Sequence, residues 1–206
     1  MVKTQRKAGG TIKISEETSL SWYEGAGSPQ VYNKHYSKWK PKTRRQAVNP
    51  WPYKLWMAKQ AKGLTLDAGC GPGGLNRFLK NTVFLDFSRV ALTKRWQGRK
   101  RVRILASVEN MPFQPNVFDT VIASEVIEHT DNPNKFMSEV YRVLKKRGKF
   151  LFTFPWHELS RTHKHKKITK RKLSIWLSPH FNNLVFPRKV PSLQARHRSM
   201  VVVAKT

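Results

Sequence analysis

The chain has 206 residues, 39% of them hydrophobic and 7 of them Trp, enough to bury a full core and too apolar for a disordered polymer. No apolar run approaches the roughly 20 residues of a membrane span, and the single Cys excludes an internal disulfide and fits a reducing compartment. The charge is the informative quantity: 40 Lys+Arg against 12 Asp+Glu leave +28, well beyond what solubility needs, and self-repulsion of that size is tolerated where the partner is a polyanion.

Residues 1–20 are polar and lysine-rich without a period, and predict at most one short strand at Thr11-Ile12-Lys13-Ile14. No apolar segment follows Met1-Val2-Lys3, which speaks against a secretory leader and for a cytoplasmic protein. From Ser21 to Arg45 aromatics alternate with cations: Trp22, Tyr23, Tyr32, His35, Tyr36 and Trp39 among Lys34, Lys38, Lys40, Lys42, Arg44 and Arg45. Such a segment can stack its rings on bases while its cations follow phosphates. It can equally lay its rings over a cleft as a lid, and both readings stay open. Asn49-Pro50-Trp51-Pro52 marks a turn or helix start, and Tyr53 to Ala61 follows as a short helix.

Residues 64–154 alternate strands with helices, the pattern of a parallel sheet. Strands are expected at 64–68, 82–87, 102–107, 118–124 and 149–154, and helices at about 74–80, 89–97 and 134–146. The last helix is amphipathic, with Phe136, Met137, Val140, Val143 and Leu144 on one face. Its Glu139 and Arg142 read as a solvated i,i+3 pair. The first strand ends in Asp67 and runs into Ala68-Gly69-Cys70-Gly71-Pro72-Gly73-Gly74. Glycines in such a turn admit positive φ and close approach to a ligand, and ligands in open α/β sheets sit beyond the carboxyl ends of such strands. The register fails the dinucleotide fingerprint, because Asn76 stands where a third glycine belongs, and no Gly-Lys-Ser/Thr follows to make a P-loop. Cys70 reads as a small packing residue. The second strand also ends in an acid, Asp86, 19 residues after Asp67, a position suited to accepting both hydroxyls of a ribose.

Asp-Ala-Gly-Cys-Gly-Pro-Gly after a strand resembles the first motif of class I S-adenosylmethionine (SAM)-dependent methyltransferases. Together with Thr82–Ser88, Arg103–Phe113, Phe118–His129, Phe136–Lys145 and Gly148–Pro155, it looks like the successive blocks of the type 11 methyltransferases. The resemblance covers roughly residues 60 to 155 and implies a Rossmann-like sheet of seven mostly parallel strands with a C-terminal antiparallel hairpin. Residues 1–60 would then be a basic, aromatic-rich extension or lid, and 61–206 the methyltransferase domain. It further implies that SAM is held by Asp67, Ala68, Gly69, Cys70, Gly71, Gly73, Asp86, Phe87, Ser107, Val108, Ser124 and Glu125. Family members usually carry an acid at Ser107 for the adenine amino group; here Glu109 is the nearest substitute.

After Pro155 the chain turns basic again. Thr169 is a plausible N-cap for a helix that buries Leu173, Trp176 and Leu177. Strands at Asn183–Phe186 and Ser199–Ala204 close the sheet. Residues 1–62 hold 13 Lys+Arg and 3 acids, 63–154 hold 15 and 8, and 155–206 hold 12 and 1, for nets of +10, +7 and +11. The excess sits in the flanks, so Trp39, Arg44, Arg45, His163, Lys164, His165, Lys167 and Arg171 are the candidate substrate contacts. His163-Lys164-His165 has metal-like spacing, but the lysines oppose a cation and no Cys or Asp completes a set, so no metal is expected.

Methyl transfer from a sulfonium needs alignment and sometimes a base. Glu125, Glu128 and His129, beyond the fourth strand, and His157, after the fifth, are the candidates, with Glu125 and His129 put first; the alternative is that Glu-His merely caps its loop and packs under the cofactor. The Asn/Asp-Pro-Pro-Tyr/Phe tetrapeptide of exocyclic-amine methylases is absent, and Cys70 is misplaced for C5-pyrimidine chemistry. The chain thus reads as a SAM-dependent methyltransferase of RNA, tRNA or rRNA. The competing readings are a methylase of a small acidic metabolite, quinone or lipid, and a non-catalytic RNA-binding protein that keeps the fold.

Overall fold

The computed structural model describes residues 5–7, 10–12, 29–38, 52–93, 102–155, 164–165, 168–181, 183–187, 190 and 199–205. The strands β1 (Gln5–Lys7) and β2 (Gly10–Ile12) form a small antiparallel pair. Two helices follow, α1 (Pro29–Lys38) and α2 (Pro52–Gln60). The main body then runs β3 (Thr65–Ala68), β4 (Thr82–Asp86), α3 (Arg89–Thr93), β5 (Val102–Leu105) and β6 (Phe118–Ser124). It continues with a 3-10 turn (Ile127–His129), α4 (Pro133–Val143), β7 (Leu144–Pro155), α5 (Lys170–Leu177), β8 (Asn183–Val185) and β9 (Ser199–Lys205).

Seven strands pair in the order β5-β4-β3-β6-β7-β9-β8. Strands β3 to β7 are mutually parallel, and β9 runs antiparallel to both of its neighbours. The chain leaves β3 toward one edge and returns to place β6 on its other side. The order therefore reverses between β3 and β6, and a crevice opens beyond their carboxyl ends.

Every residue of β3 and β4 is buried, which explains their continuous apolar runs: a parallel sheet is covered on both faces. One face packs Phe150, Phe152 and Phe154 of β7 against Phe136, Met137 and Val140 of α4 and Leu173 and Leu177 of α5. The Phe150 and Phe152 rings stack at 4.6 Å. The other face packs Phe84, Ile122 and Leu151 against Tyr53 and Met57 of α2. Adjacent side chains on one strand thus feed opposite layers, and side chains two apart share one.

Several expectations are corrected. Residues 71–78 form successive turns, not a helix. Gly71 and Gly73 take φ of 55° and 81°, and i,i+3 bonds from Asn76 to Gly73 and from Phe78 to Leu75 hold the segment. The helix expected at 89–97 is Arg89–Thr93, the residues beyond lying outside those described. The helix at 134–146 stops at Val143, because Leu144 is already extended and pairs with Phe118. Strand β7 therefore starts five residues before 149, with a register shift between Phe118 and Thr120 and Arg147 at φ 63°. Glu139 and Arg142 form more than a solvated pair. Arg142 donates to Glu139 and to the carbonyls of Phe113 and Met111, and Met111 N–H donates back to Glu139, so the pair clasps the 111–113 loop. No helix among the described residues is long and apolar enough to cross a membrane.

Candidate functional site

The crevice between β3 and β6 is floored by the glycine turn. Gly69 and Cys70 N–H both donate to Leu85 O, at 2.8 and 3.0 Å, stitching the turn to the end of β4. Gly69 has φ 71°, and a Cβ there would lie 2.6 Å from Val126 Cγ2, so only glycine passes beneath the loop after β6. Gly71 N–H donates to Asp86 Oδ2 and Ser88 N–H to Asp86 Oδ1, each at 2.8 Å. A carboxylate offers about four acceptor positions, so Asp86 organises the turn and still has lone pairs for incoming hydroxyls. Burial pushes Asp86 up to about 6, against the pull of the Ser88, Gly71 and Phe87 N–H groups. Burial pushes Asp67 up to about 7, with Lys54 opposing the shift.

Ala68 is fully buried, and Cys70 sits in the α2-side core with its thiol driven upward by burial. A desolvated thiol of this kind is a packing group, not a nucleophile. At the end of β5, Ser107 Oγ accepts from Glu109 N–H at 3.1 Å, and Val108 packs partly on the core. The Glu109 carboxylate receives the N–H groups of Asp131 (2.7 Å) and Asn132 (3.1 Å) and holds the start of α4.

The loop after β6 carries the acids. Ser124 Oγ lies 3.2 Å from Thr153 Oγ1. Glu125 stands at φ 58°, with its N–H donating to Thr153. A non-glycine residue in that region stores strain, as binding loops often do. Glu125 Oε1 and both carboxyl oxygens of Glu128 are buried without a hydrogen-bond partner. Burial and the neighbouring Glu125 raise Glu128 well above the usual carboxyl range. His129 Nε2 lies 3.9 Å from Glu128 Oε1.

Sequence reasoning foresaw no helix at 29–38 and left its rings between two roles. Tyr32 is buried, with its ring 5.0 Å from Phe87 and edge-on to His129 at 5.5 Å. Asn33 Oδ1 receives Ser88 Oγ–H at 2.6 Å and Val90 N–H at 3.3 Å. Tyr36 Oη would lie 3.2 Å from a Cβ on Gly71. The i,i+1,i+4 spacing of Tyr32, Asn33 and Tyr36 was the available signal.

Among the expected substrate contacts, Trp39, Arg44, Arg45, His163 and Lys167 lie outside the described residues. Lys164 pairs with Asp131. The Lys164 and His165 N–H groups both donate to Glu128 O, and His165 Nε2 lies 3.0 Å from Thr130 O. These two residues therefore tether the C-terminal basic segment to the site loop. Arg171 is exposed on the first turn of α5. Among the described residues no three His, Cys, Asp or Glu side chains are grouped to hold a metal ion.

Residues 66–152 match the family described as methyltransferase domain. That stretch has the fold of solved SAM-dependent methyltransferases, and S-adenosylmethionine is the cofactor that the methyltransferase-domain match implies. An uncharacterized protein of Methanocaldococcus jannaschii is 40% identical over 90 residues, 43% of this chain and 39% of that protein. The glycine/sarcosine/dimethylglycine N-methyltransferase of Actinopolyspora halophila is 33% identical over 102 residues, 44% of this chain and 18% of that enzyme. The chain thus spans well under half of these relatives' length. Among solved structures, a methyltransferase of Haloferax volcanii in complex with the Trm112 methyltransferase activator shares the fold, with a TM-score of 0.65 at 16% identity over 84% of this chain and 96% of that one.

Proposed function

We propose that the chain is a SAM-dependent methyltransferase whose acceptor is RNA, tRNA or rRNA, in the cytoplasm. The cofactor's fit rests on the glycine cradle that a Cβ would fill and on the spare lone pairs of Asp86. Asp86 would accept ribose hydroxyls, the 69–73 backbone would pass under the methionine part, and Phe87, Ser107 and Val108 would border the base. Bound SAM supplies an activated methyl group on a sulfonium, and the protein's work is alignment. His129, beside Glu128, would be the group that takes an acceptor proton. Glu125 would position it or the acceptor.

One observation carries the RNA reading: both basic flanks land on the same turn. Tyr32 of the N-terminal flank packs on His129, and Lys164 and His165 of the C-terminal flank bond to Glu128 and Thr130. Lys34 and Lys38 on α1 and Lys170, Arg171 and Lys172 on α5 are exposed and would extend that cationic border. The test is to incubate total RNA and a metabolite extract with the protein and methyl-labelled SAM. Label in one nucleoside supports the reading. Label confined to a small molecule overturns it and favours a second reading, in which the unpartnered oxygens of Glu125 and Glu128 receive a cationic acceptor.

A further inference from the structure

We propose that α1 is a wall of the cofactor pocket, with Tyr36 contacting the bound nucleoside and Asn33 positioning the helix that carries it. The strand ends supply fewer nucleoside contacts here than they otherwise would. Ser107 Oγ is engaged by Glu109 N–H, and the Glu109 carboxylate is engaged by the start of α4. The acceptors of the corner after β5 are thus already tied to the protein's own N–H groups, and the acid usual at position 107 is a Ser.

Helix α1 lies against that same region. Its Tyr32 ring covers Phe87, the residue after the ribose-side acid. Its Tyr36 hydroxyl reaches over Gly71, whose N–H is held by Asp86. Burial, and then the Asp86 charge, raise the Tyr36 phenol, so Tyr36 stays a hydrogen-bond donor throughout the physiological range. An acceptor-only carboxylate and a donor phenol beside one glycine turn make a complementary pair for a hydroxyl, which can donate to the first and accept from the second. Asn33 explains why the helix docks there. Its Oδ1 takes two donors at the start of α3, from Ser88 and Val90, a contact made only when α1 is seated. A wall of this kind orders with its ligand, because ligand contacts repay part of the entropy of fixing the helix.

The experiment uses the full chain, with SAM affinity read by calorimetry and amide exchange read over 29–38. Tyr36→Phe removes only the donor and is expected to weaken SAM binding about 5- to 10-fold, the worth of one hydrogen bond. Tyr36→Ala is expected to weaken it further, by at least about tenfold. Asn33→Ala is expected to lower affinity and to abolish the SAM-dependent protection of 29–38 that the parent shows. Ser37→Ala, exposed on α1, is expected to bind as the parent does. SAM binding equal to or tighter than the parent in Tyr36→Phe and Tyr36→Ala would overturn the proposal, because α1 would then be a plug or a bystander. So would exchange over 29–38 that is indifferent to SAM. If Tyr36→Ala fails to fold, Tyr36→Phe alone decides.

Discussion

Asp86 holds the glycine turn and, in the proposed site, would also accept the ribose hydroxyls, and its protonation separates the two. Its folded pKa, about 6, lies above the ordinary carboxyl value of 3.8. Protonation spends one oxygen as a donor and weakens acceptance from ribose hydroxyls. SAM affinity is therefore expected to fall as pH drops through about 6, with the fall absent in Asp86→Asn; calorimetry between pH 5 and 8 checks it. Asp86→Ala is expected to cost about 1–3 kcal/mol of cofactor binding, and unchanged affinity would remove the ribose assignment. Glu128 poses the opposite problem. Its pKa is raised on folding, so the proton is held more tightly in the folded state. That contribution to stability is complete below the unfolded value of 4.5 and is lost as pH rises through the folded value. Glu128→Gln keeps the shape and removes the titration. Thermal unfolding of the variant is expected to be flatter with pH and higher at neutral pH than that of the parent. A lower melting temperature at pH 7 would mean that Glu128 has an ionic partner. The place of Asp86 was legible because an acid ending an apolar run is a local pattern. The orphaning of Glu128 was not, because burial without a partner depends on which distant groups the fold withholds.

Local signals also set the fate of whole elements, and they succeed where one signal dominates. Asn132 before Pro133 starts α4 by accepting Lys135 N–H, and Thr169 starts α5 by accepting Lys172 N–H. Both caps are readable from residue type alone. The glycine segment misleads because Leu75, Phe78 and Leu79 fall at helical spacing and the latter two face different surroundings: Leu79 is buried and Phe78 is 40% exposed. Backbone geometry at the glycines decides instead, and two of them part ways under substitution. Gly69→Ala meets Val126 at 2.6 Å in the left-handed region and is expected to lose more than about 1 kcal/mol in urea unfolding. A Cβ at Gly74 meets nothing within 4 Å and its φ is not positive. Gly74→Ala is therefore expected to be neutral or to gain up to about 1 kcal/mol. Equal losses at the two positions would mean that the turn, not the steric contact, sets the cost. The early start of β7 was unreadable for a different reason: Lys145-Lys146-Arg147-Gly148 has no strand pattern, and the pairing of Leu144 with Phe118 imposes the extension from outside.

Across the molecule, the composition gave the sign and the asymmetry of the charge, while the fold gives its address. Counting residues placed +10 and +11 on the two flanks, but nothing in the sequence said that α1 and the 164–165 segment would both dock on the turn holding His129. If the cations of the two flanks follow these docked segments to the site mouth, as the proposed function requires, that has a measurable signature. Each phosphate neutralised by Lys or Arg releases condensed counterions, so the logarithm of affinity falls linearly with the logarithm of salt, with a slope of roughly −0.7 to −0.9 per phosphate. RNA binding read by fluorescence anisotropy is therefore expected to weaken steeply between low and physiological salt. Exchanging exposed Lys170, Arg171 and Lys172 together for Gln should make that slope shallower by about 2 to 3 while leaving SAM affinity as it is. The two readouts matter jointly. A shallower slope with intact cofactor binding assigns α5 to the polyanion and the crevice to the cofactor, as two surfaces of one mouth. An unchanged slope would move the polyanion off α5, and a salt-insensitive parent would remove RNA as the acceptor altogether.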